Sequence, residues 1–289
     1  MTIPVFELLR PKTLAEASEL LLKHGDDARL IAGGTTLVIL MKQRTVYYPY
    51  LIDLQGISGL DHITADGEGL RIGAMATQRA VETSLLVRRS FPALADAFGK
   101  IGNVRVRTTA TVGGNLAHAD YRLDPPPVLL ILGADLVLSS PKQTRTVPIK
   151  DFYRGLYETA LEPGEILAEV RVPPAPEGSR TLYLKYSSLS ANDWPCLGVA
   201  ALLKGNAKRC DELRLGVGGL AEKPLLIEGL ELARNETITD SLLDEIARLV
   251  DEQISPISDL RGSEWYKREM ARVFVKRAIC ALAEEDPHL

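Results

Sequence analysis

The chain has 289 residues, 46% of them hydrophobic and 25% charged, with a formal charge of −4. That length is at or just beyond the size at which one core stops growing, so two or three subdomains are expected, and so mild a charge leaves no basic footprint for nucleic acid. No apolar run approaches the roughly 20 residues of a membrane span, and Met1-Thr2-Ile3-Pro4-Val5-Phe6-Glu7 lacks the basic and apolar regions of a signal peptide, so a cytoplasmic location is expected.

Thr13-Leu14-Ala15-Glu16 reads as a capping box, followed by Leu14, Ala17, Leu20 and Leu21 at helical spacing and by Gly25 as a stop, so a short helix is expected to open the chain. Arg29 to Ala32 then reads as a strand running into Gly33-Gly34, with a short helix from Leu37 to Arg44. Asp61 to Ala65 and Leu70 to Gly73 flank a turn-rich Asp66-Gly67-Glu68-Gly69 and predict a hairpin. Pro92 starts a helix through Ala97, ahead of Gly102-Asn103 and a second glycine pair.

Ile166, Ala168, Val170 and Val172 alternate with Glu165, Leu167, Glu169 and Arg171, a period-two strand that ends at Pro173-Pro174. Pro173 to Gly178 is the clearest linker. Strands are expected near Leu182 to Tyr186, Leu197 to Leu203 and Leu213 to Val217, then helices near Leu242 to Asp251 and Ser263 to Glu284. In the last helix Tyr266, Met270, Val273, Phe274, Ala278, Ala281 and Leu282 read as one apolar stripe.

The two glycine pairs lie in Ala32-Gly33-Gly34-Thr35-Thr36-Leu37 and Thr111-Val112-Gly113-Gly114-Asn115-Leu116, each following or joining segments that read as strand. Consecutive amides without a Cβ let an anion approach, and two such loops imply a diphosphate. Neither carries the Lys of a nucleoside-triphosphate loop, which argues against ATP hydrolysis. Gly216-Val217-Gly218-Gly219-Leu220-Ala221 fits the dinucleotide pattern G-x-G-x-x-A, but Lys223-Pro224 opposes the helix that pattern needs, so a strand end with a tight bend is expected.

Cys196, Cys210 and Cys280 are dispersed and read as buried reduced thiols, so no iron–sulfur cluster or structural zinc can be assembled from this chain alone. No Ser or Cys sits in a nucleophile-elbow pattern among His24, His62, His118 and His288. His118 reads as a structural imidazole near the second glycine pair. Trp194, in the polar Asn192-Asp193-Trp194-Pro195, reads as a partly buried anchor or as a cover for a planar ligand.

Read together, these segments resemble the FAD-binding medium subunit of molybdenum-containing hydroxylases, the group of carbon monoxide dehydrogenase, quinoline oxidoreductase and the flavin domain of xanthine dehydrogenase. The likeness runs nearly end to end. It rests on the first glycine loop, on Gly102-Asn103-Val104-Arg105-Val106-Arg107 leading into Thr111 to Asp120, on Pro163-Gly164-Glu165-Ile166-Leu167, on Tyr183-Leu184-Lys185, and on Gly262 to Arg268. The resemblance implies FAD contacts from Ala32, Gly33, Gly34, Thr35, Thr36 and Leu37 in the first loop and from Thr111, Gly114 and Asn115 in the second. It also implies that Leu167 packs on the isoalloxazine, that Asp124 and Lys185 are polar flavin contacts, and that Trp194 lies beside the ring.

The implied fold is α+β, like that of vanillyl-alcohol oxidase and p-cresol methylhydroxylase. It comprises a two-part FAD-binding domain over residues 1–175, with subdomains of about 1–56 and 57–175, and a C-terminal α/β flavoprotein domain over 179–289 with a small antiparallel, three-stranded sheet backed by helices. The implied activity is that of an oxidoreductase subunit, passing electrons from [2Fe-2S] clusters through non-covalent FAD to an external acceptor. A small partner subunit would carry two such clusters and a large one the molybdenum cofactor, in a dimer of heterotrimers. No His lies in either glycine loop, so the flavin is expected to bind reversibly. Two rivals stand beside this reading, a stand-alone FAD-dependent oxidase of the same fold and a non-enzymatic nucleotide-binding module. Tyr121-Arg122-Leu123 departs from the family's usual Pro-Ala-Ala, placing an added positive charge near Asp124.

Overall fold

Short-range signals account for the first elements. Thr13 accepts a hydrogen bond from the Glu16 amide and caps α1 (Leu14–His24), which ends at Gly25 with φ +54°. The Glu16 carboxylate reaches the Lys12 amide rather than that of Thr13, a variant of the expected box. A strand, β1 (Glu7–Leu9), precedes this helix, so α1 is not the first element. With β2 (Ala28–Ile31) and β3 (Tyr50–Asp53), between which α2 (Leu37–Lys42) runs, strand β1 forms a parallel sheet in the order β1-β3-β2. The computed structural model describes residues 3–67 and 69–284, so Glu68 of the hairpin turn and His288 lie outside the described residues.

The hairpin β4 (Ile63–Asp66) and β5 (Gly69–Gly73) leads into a run of short helices. These are α3 (Gln78–Thr83), α4 (Leu85–Ser90), α5 (Pro92–Gly99), α6 (Val104–Arg107), α7 (Val112–His118) and α8 (Pro125–Ile131). Strands β6 (Asp135–Ser139) and β7 (Thr144–Pro148) follow, then α9 (Ile149–Phe152), the small pair β8 (Tyr153–Gly155) and β9 (Glu158–Thr159), and β10 (Ile166–Val172). The five-stranded antiparallel sheet has the order β4-β5-β10-β6-β7.

Strand β10 departs from simple alternation, because Leu167 and Glu169 are buried along with its other face and only Arg171 is exposed. The strand is central, and its pairing with β6 shifts register between Leu167 and Glu169. Burial opposes the charge of Glu169, but hydrogen bonds from Arg71, Arg171 and His62 more than offset that and hold its carboxyl below the usual range.

Beyond residues 173–178, β11 (Ser179–Tyr186), β12 (Leu197–Asn206), β13 (Arg209–Gly218) and the two-residue β14 (Leu225–Leu226) form an antiparallel sheet of four strands rather than the three expected. The sheet is buried on both faces. Leu197, Val199, Ala201 and Leu203 pack toward α10 (Asp240–Gln253) and α11 (Glu264–Ala283), while Tyr183, Ala200 and Leu202 join the core around α5 and α8. A Cβ on Gly216 would lie 2.3 Å from the Pro127 carbonyl, so this glycine serves close strand–helix packing. The chain bends at Gly219, φ +77°, with no helix following, as expected of the G-x-G-x-x-A segment.

The apolar stripe of α11 is rotated from the expected one. Its buried line is Ala271, Val275, Ala278, Ile279 and Leu282, begun by Lys267, whereas Val273 is exposed and Tyr266, Met270 and Phe274 lie on the flank. A polar residue can start a core line when its charge is matched, and the Lys267 ammonium donates to Asp259 Oδ1 and the Ile257 carbonyl at 3.0 and 2.8 Å. Cys196 and Cys210 are buried free thiols, while Cys280 is only partly buried. No helix among the described residues is long and apolar enough to cross a membrane.

Candidate functional site

Strands β2 and β3 run parallel, and the loops leaving their carboxyl ends diverge around a crevice, the usual place for a ligand in an open α/β sheet. A cavity of about 570 Å³ opens there, lined by Ala32, Gly33, residues 54–59, Asp61, Met75, Thr77, Thr108, Thr109 and Thr111. This is within the size range of small-molecule sites. Residues 54–59, Met75 and Thr77 carried no sequence signal, since only the chain's route brings them to the crevice.

The first glycine loop is built to expose donors. Gly34 has φ +65°, and among the described residues the amides of Gly33, Gly34, Thr35, Thr36 and Leu37 donate to no protein acceptor. Helix α2 has only six residues, so these individual amides matter more than a helix dipole. Gly33 is glycine because another backbone lies against it, and a Cβ there would stand 2.1 Å from the Thr109 carbonyl oxygen. The Thr109 segment is in turn fixed by Arg107, whose guanidinium donates to Glu82 at 2.8 Å and to the Ile101 carbonyl at 2.9 Å.

The second glycine pair corrects the expectation of a strand-linked cradle. It occupies the first turn of helix α7, preceded by the short helix α6, and its amides are spent: Gly113 donates to Ala74 O, Gly114 to Thr111 Oγ1 and Asn115 to Thr111 O. A Cβ on Gly113 would sit 2.6 Å from the Ala74 Cβ, so that glycine lets α7 pack on the β5 end. The two loops nevertheless meet, with Ala32 Cβ 3.8 Å from where a Gly114 Cβ would be. The polar resources of the second loop are side chains, Thr111 at the cavity and Asn115, whose buried Oδ1 has no partner.

A second group of expected residues assembles where β11 meets α8. Lys185 Nζ donates to Asp124 Oδ2 at 3.1 Å and to the Lys100 carbonyl at 2.8 Å, with both charged side chains buried. Tyr183, which the sequence placed beside Lys185 without a role, donates its hydroxyl to Asp124 Oδ1 at 2.7 Å. Burial pushes the Asp124 carboxyl up to about 6, against the opposing pull of Lys185 and Tyr183.

Arg122 does not act on Asp124 as expected. Its guanidinium and amide are taken by the buried Asp120, with bonds of 2.7 to 2.9 Å, and Tyr157 adds a hydroxyl at 3.0 Å. The guanidinium then lies over Trp194, which is partly buried in the loop after β11. His118 stands beside Tyr157, and burial lowers its pKa. Leu167 is 4% exposed within the core that includes Leu138 and Val170, and it does not line the cavity.

Unengaged amides and a Gly33 that admits no Cβ against Thr109 fit the diphosphate of a dinucleotide such as FAD, and the orphaned Asn115 oxygen, an acceptor, suits a hydroxyl of the same ligand. Comparison with known proteins agrees. Residues 4–175 match the FAD binding domain in molybdopterin dehydrogenase, and residues 183–282 match the CO dehydrogenase flavoprotein C-terminal domain. The chain is 34% identical to the carbon monoxide dehydrogenase medium chain of Afipia carboxidovorans over 95% of each protein. It is 31% identical to the glyceraldehyde dehydrogenase medium chain of Sulfolobus acidocaldarius, over 97% of this chain and 99% of that one. Its fold superposes on carbon monoxide dehydrogenase from Hydrogenophaga pseudoflava with a TM-score of 0.93, at 34% identity and 98% coverage of both chains. A cavity flanked by free amides, on a chain that matches these flavoproteins from end to end, makes this protein a member of the FAD-binding medium-subunit family of the molybdenum-containing dehydrogenases, and so an oxidoreductase subunit.

Proposed function

We propose that this chain is the electron-transfer subunit of a multi-subunit molybdenum hydroxylase, relaying reducing equivalents from the [2Fe-2S] clusters of a small partner to an external acceptor. In this reading a large partner carries the molybdenum cofactor and hydroxylates the substrate, and the complex is a cytoplasmic dimer of heterotrimers. The observation that carries it is the row of unengaged amides from Gly33 to Leu37 beside the cavity, in a chain whose relatives are named medium chains of dehydrogenases.

FAD, when bound, supplies the redox chemistry through its flavin ring. The chain's own work is binding, orientation and electrostatics. Amides of Gly33, Gly34, Thr35 and Thr36 hold the diphosphate, and Ala32 and Leu37 shape the two ends of that loop. Thr111 and Asn115 close the site from the facing loop, where a Cβ on Gly114 would crowd the Thr111 hydroxyl at 2.9 Å. Lys185 has three N–H donors, and two are taken by Asp124 and Lys100, which leaves one for the ligand. Leu167 and Trp194, by likeness to the family, border the flavin ring and shield it from water.

The division of labour is directly testable. Anaerobic mixing of the FAD-loaded lone chain with aldehydes, purines and aromatic heterocycles should leave the flavin absorbance unchanged, and adding the partner subunits should make it bleach. Rapid flavin reduction without partners would instead identify a stand-alone oxidase.

A further inference from the structure

The Tyr183 hydroxyl occupies a space that exists only because residue 198 has no side chain. A Cβ on Gly198, on the adjoining strand β12, would stand 2.3 Å from the Tyr183 hydroxyl oxygen. Tyr183 is 2% exposed, and its ring and backbone are pinned by Lys100, whose ammonium lies 5.4 Å from the ring centroid and donates to the Tyr183 carbonyl at 2.8 Å. From that position the hydroxyl reaches Asp124 Oδ1 at 2.7 Å, while Asp124 Oδ2 receives Lys185 at 3.1 Å. Both carboxylate oxygens are therefore committed, one to a neutral donor and one to a charged one. The charged or titratable groups facing Asp124 are Tyr183 and Lys185 from β11 and Lys100 with its partner Asp96 from α5 and the residue after it.

A buried carboxylate fixed at one oxygen cannot swing away from the ammonium it holds at the other. The direction of the remaining Lys185 N–H is then set by a residue that need not touch the ligand. We propose that Tyr183 is a positioning residue for the flavin site, fixing Lys185 through Asp124, and that residue 198 is glycine to admit its hydroxyl. This rests on the FAD reading above. Removing the hydroxyl also removes a bond that favours the ionised carboxyl, so Asp124 should take up a proton at higher pH.

The test is Tyr183→Phe in the full chain, which keeps the ring and deletes one oxygen. Without flavin, the Asp124 side-chain carboxyl followed by carbon NMR should titrate higher by about one pH unit, the equivalent of one charge-assisted hydrogen bond. With FAD loaded, the midpoint potential against pH should show an inflection that moves up with that titration. Identical titration and identical inflection in the variant and the parent would overturn the proposal. Should Tyr183→Phe fold poorly, Gly198→Ala alone provides a second route, since its methyl displaces the Tyr183 hydroxyl and should raise the Asp124 titration in the same way; where both variants fold, they are also combined. The added methyl should cost less stability where the hydroxyl is gone, and strictly additive costs would overturn the steric half of the proposal. Failure of the parent chain to bind FAD would sink the functional reading but leave the carboxyl titration and the double variant able to judge Tyr183.

Discussion

The Arg122 guanidinium carbon stands 5.3 Å from the ring centroid of Trp194, joining the segment after the second glycine helix to the loop after β11. Asp120 grips Arg122 through both carboxylate oxygens, so the cation is aimed before Trp194 meets it. Nearby, Tyr121 donates to Asp259, and Arg261 binds Asp193 beside Trp194, which ties the same loops a second time.

Arg122→Ala should therefore loosen Trp194 without unfolding the chain, since a cation–π contact contributes about 0.5–2 kcal/mol. Trp194 and the exposed Trp265 are the two tryptophans, so Trp265→Phe isolates the signal. In that background Arg122→Ala should red-shift the emission and increase acrylamide quenching. Unchanged quenching would show that packing alone holds the ring.

Gly33→Ala should abolish FAD retention. The added carbon would lie 2.1 Å from a carbonyl oxygen of the facing backbone, and backbone cannot rotate away as a side chain can. Overpacking of this kind costs about 1–3 kcal/mol and displaces the loop that carries the free amides. Flavin content after gel filtration is the measurement, and full occupancy in the variant would contradict the cradle.

Lys185→Met should lower the flavin reduction potential by removing a positive charge that stabilises the anionic reduced form, by about 30 mV for each ~1.4 kcal/mol lost in a two-electron couple. It also leaves Asp124 buried without its cation, so the variant should lose stability by about 3–5 kcal/mol at pH 8. The loss should shrink toward pH 5 as Asp124 becomes neutral. Spectroelectrochemical titration and urea melts at the two pH values check both parts.

Asp124→Asn tests the raised carboxyl pKa by its sign. Because the folded-state value is lifted to about 6 from 3.8, the folded chain holds more protons than the unfolded one between those values. The stability contributed by this group is present below the unfolded value and is lost as pH rises through the folded one. Relative to the parent, the Asn variant should therefore gain stability from pH 4 to pH 7 and stay level above it. A flat difference would place the Asp124 pKa near its ordinary value.

The elements that were legible in the sequence are those whose cause is local. The Thr13 cap, the Gly25 stop, the paired hairpin strands and the glycine loop after β2 each depend on residues within a few positions of one another, and the structure has them where the sequence placed them. Resemblance to a known family singles out Asp124 and Lys185, and the structure brings the two into contact with each other.

Features set by neighbours distant in the chain differ from the local pattern. The α11 stripe was misplaced because Lys267 is made compatible with the core by Asp259, and β10 looked amphipathic because the partners of Glu169 lie on other strands or two residues away. The second glycine pair looked like a cradle because a sequence cannot show that its amides are already bonded to Ala74 and Thr111.

By itself the sequence determined the local elements, the place of the first glycine loop and the family. Only the tertiary structure decided which glycine amides stay unengaged and which glycines admit another strand or helix, that Arg122 answers to Asp120 and Trp194, and that Gly198 makes room for Tyr183 to hold Asp124. The physical reason is range: capping and turn preferences act along the chain, whereas burial, charge pairing and steric clearance depend on atoms that only folding brings together.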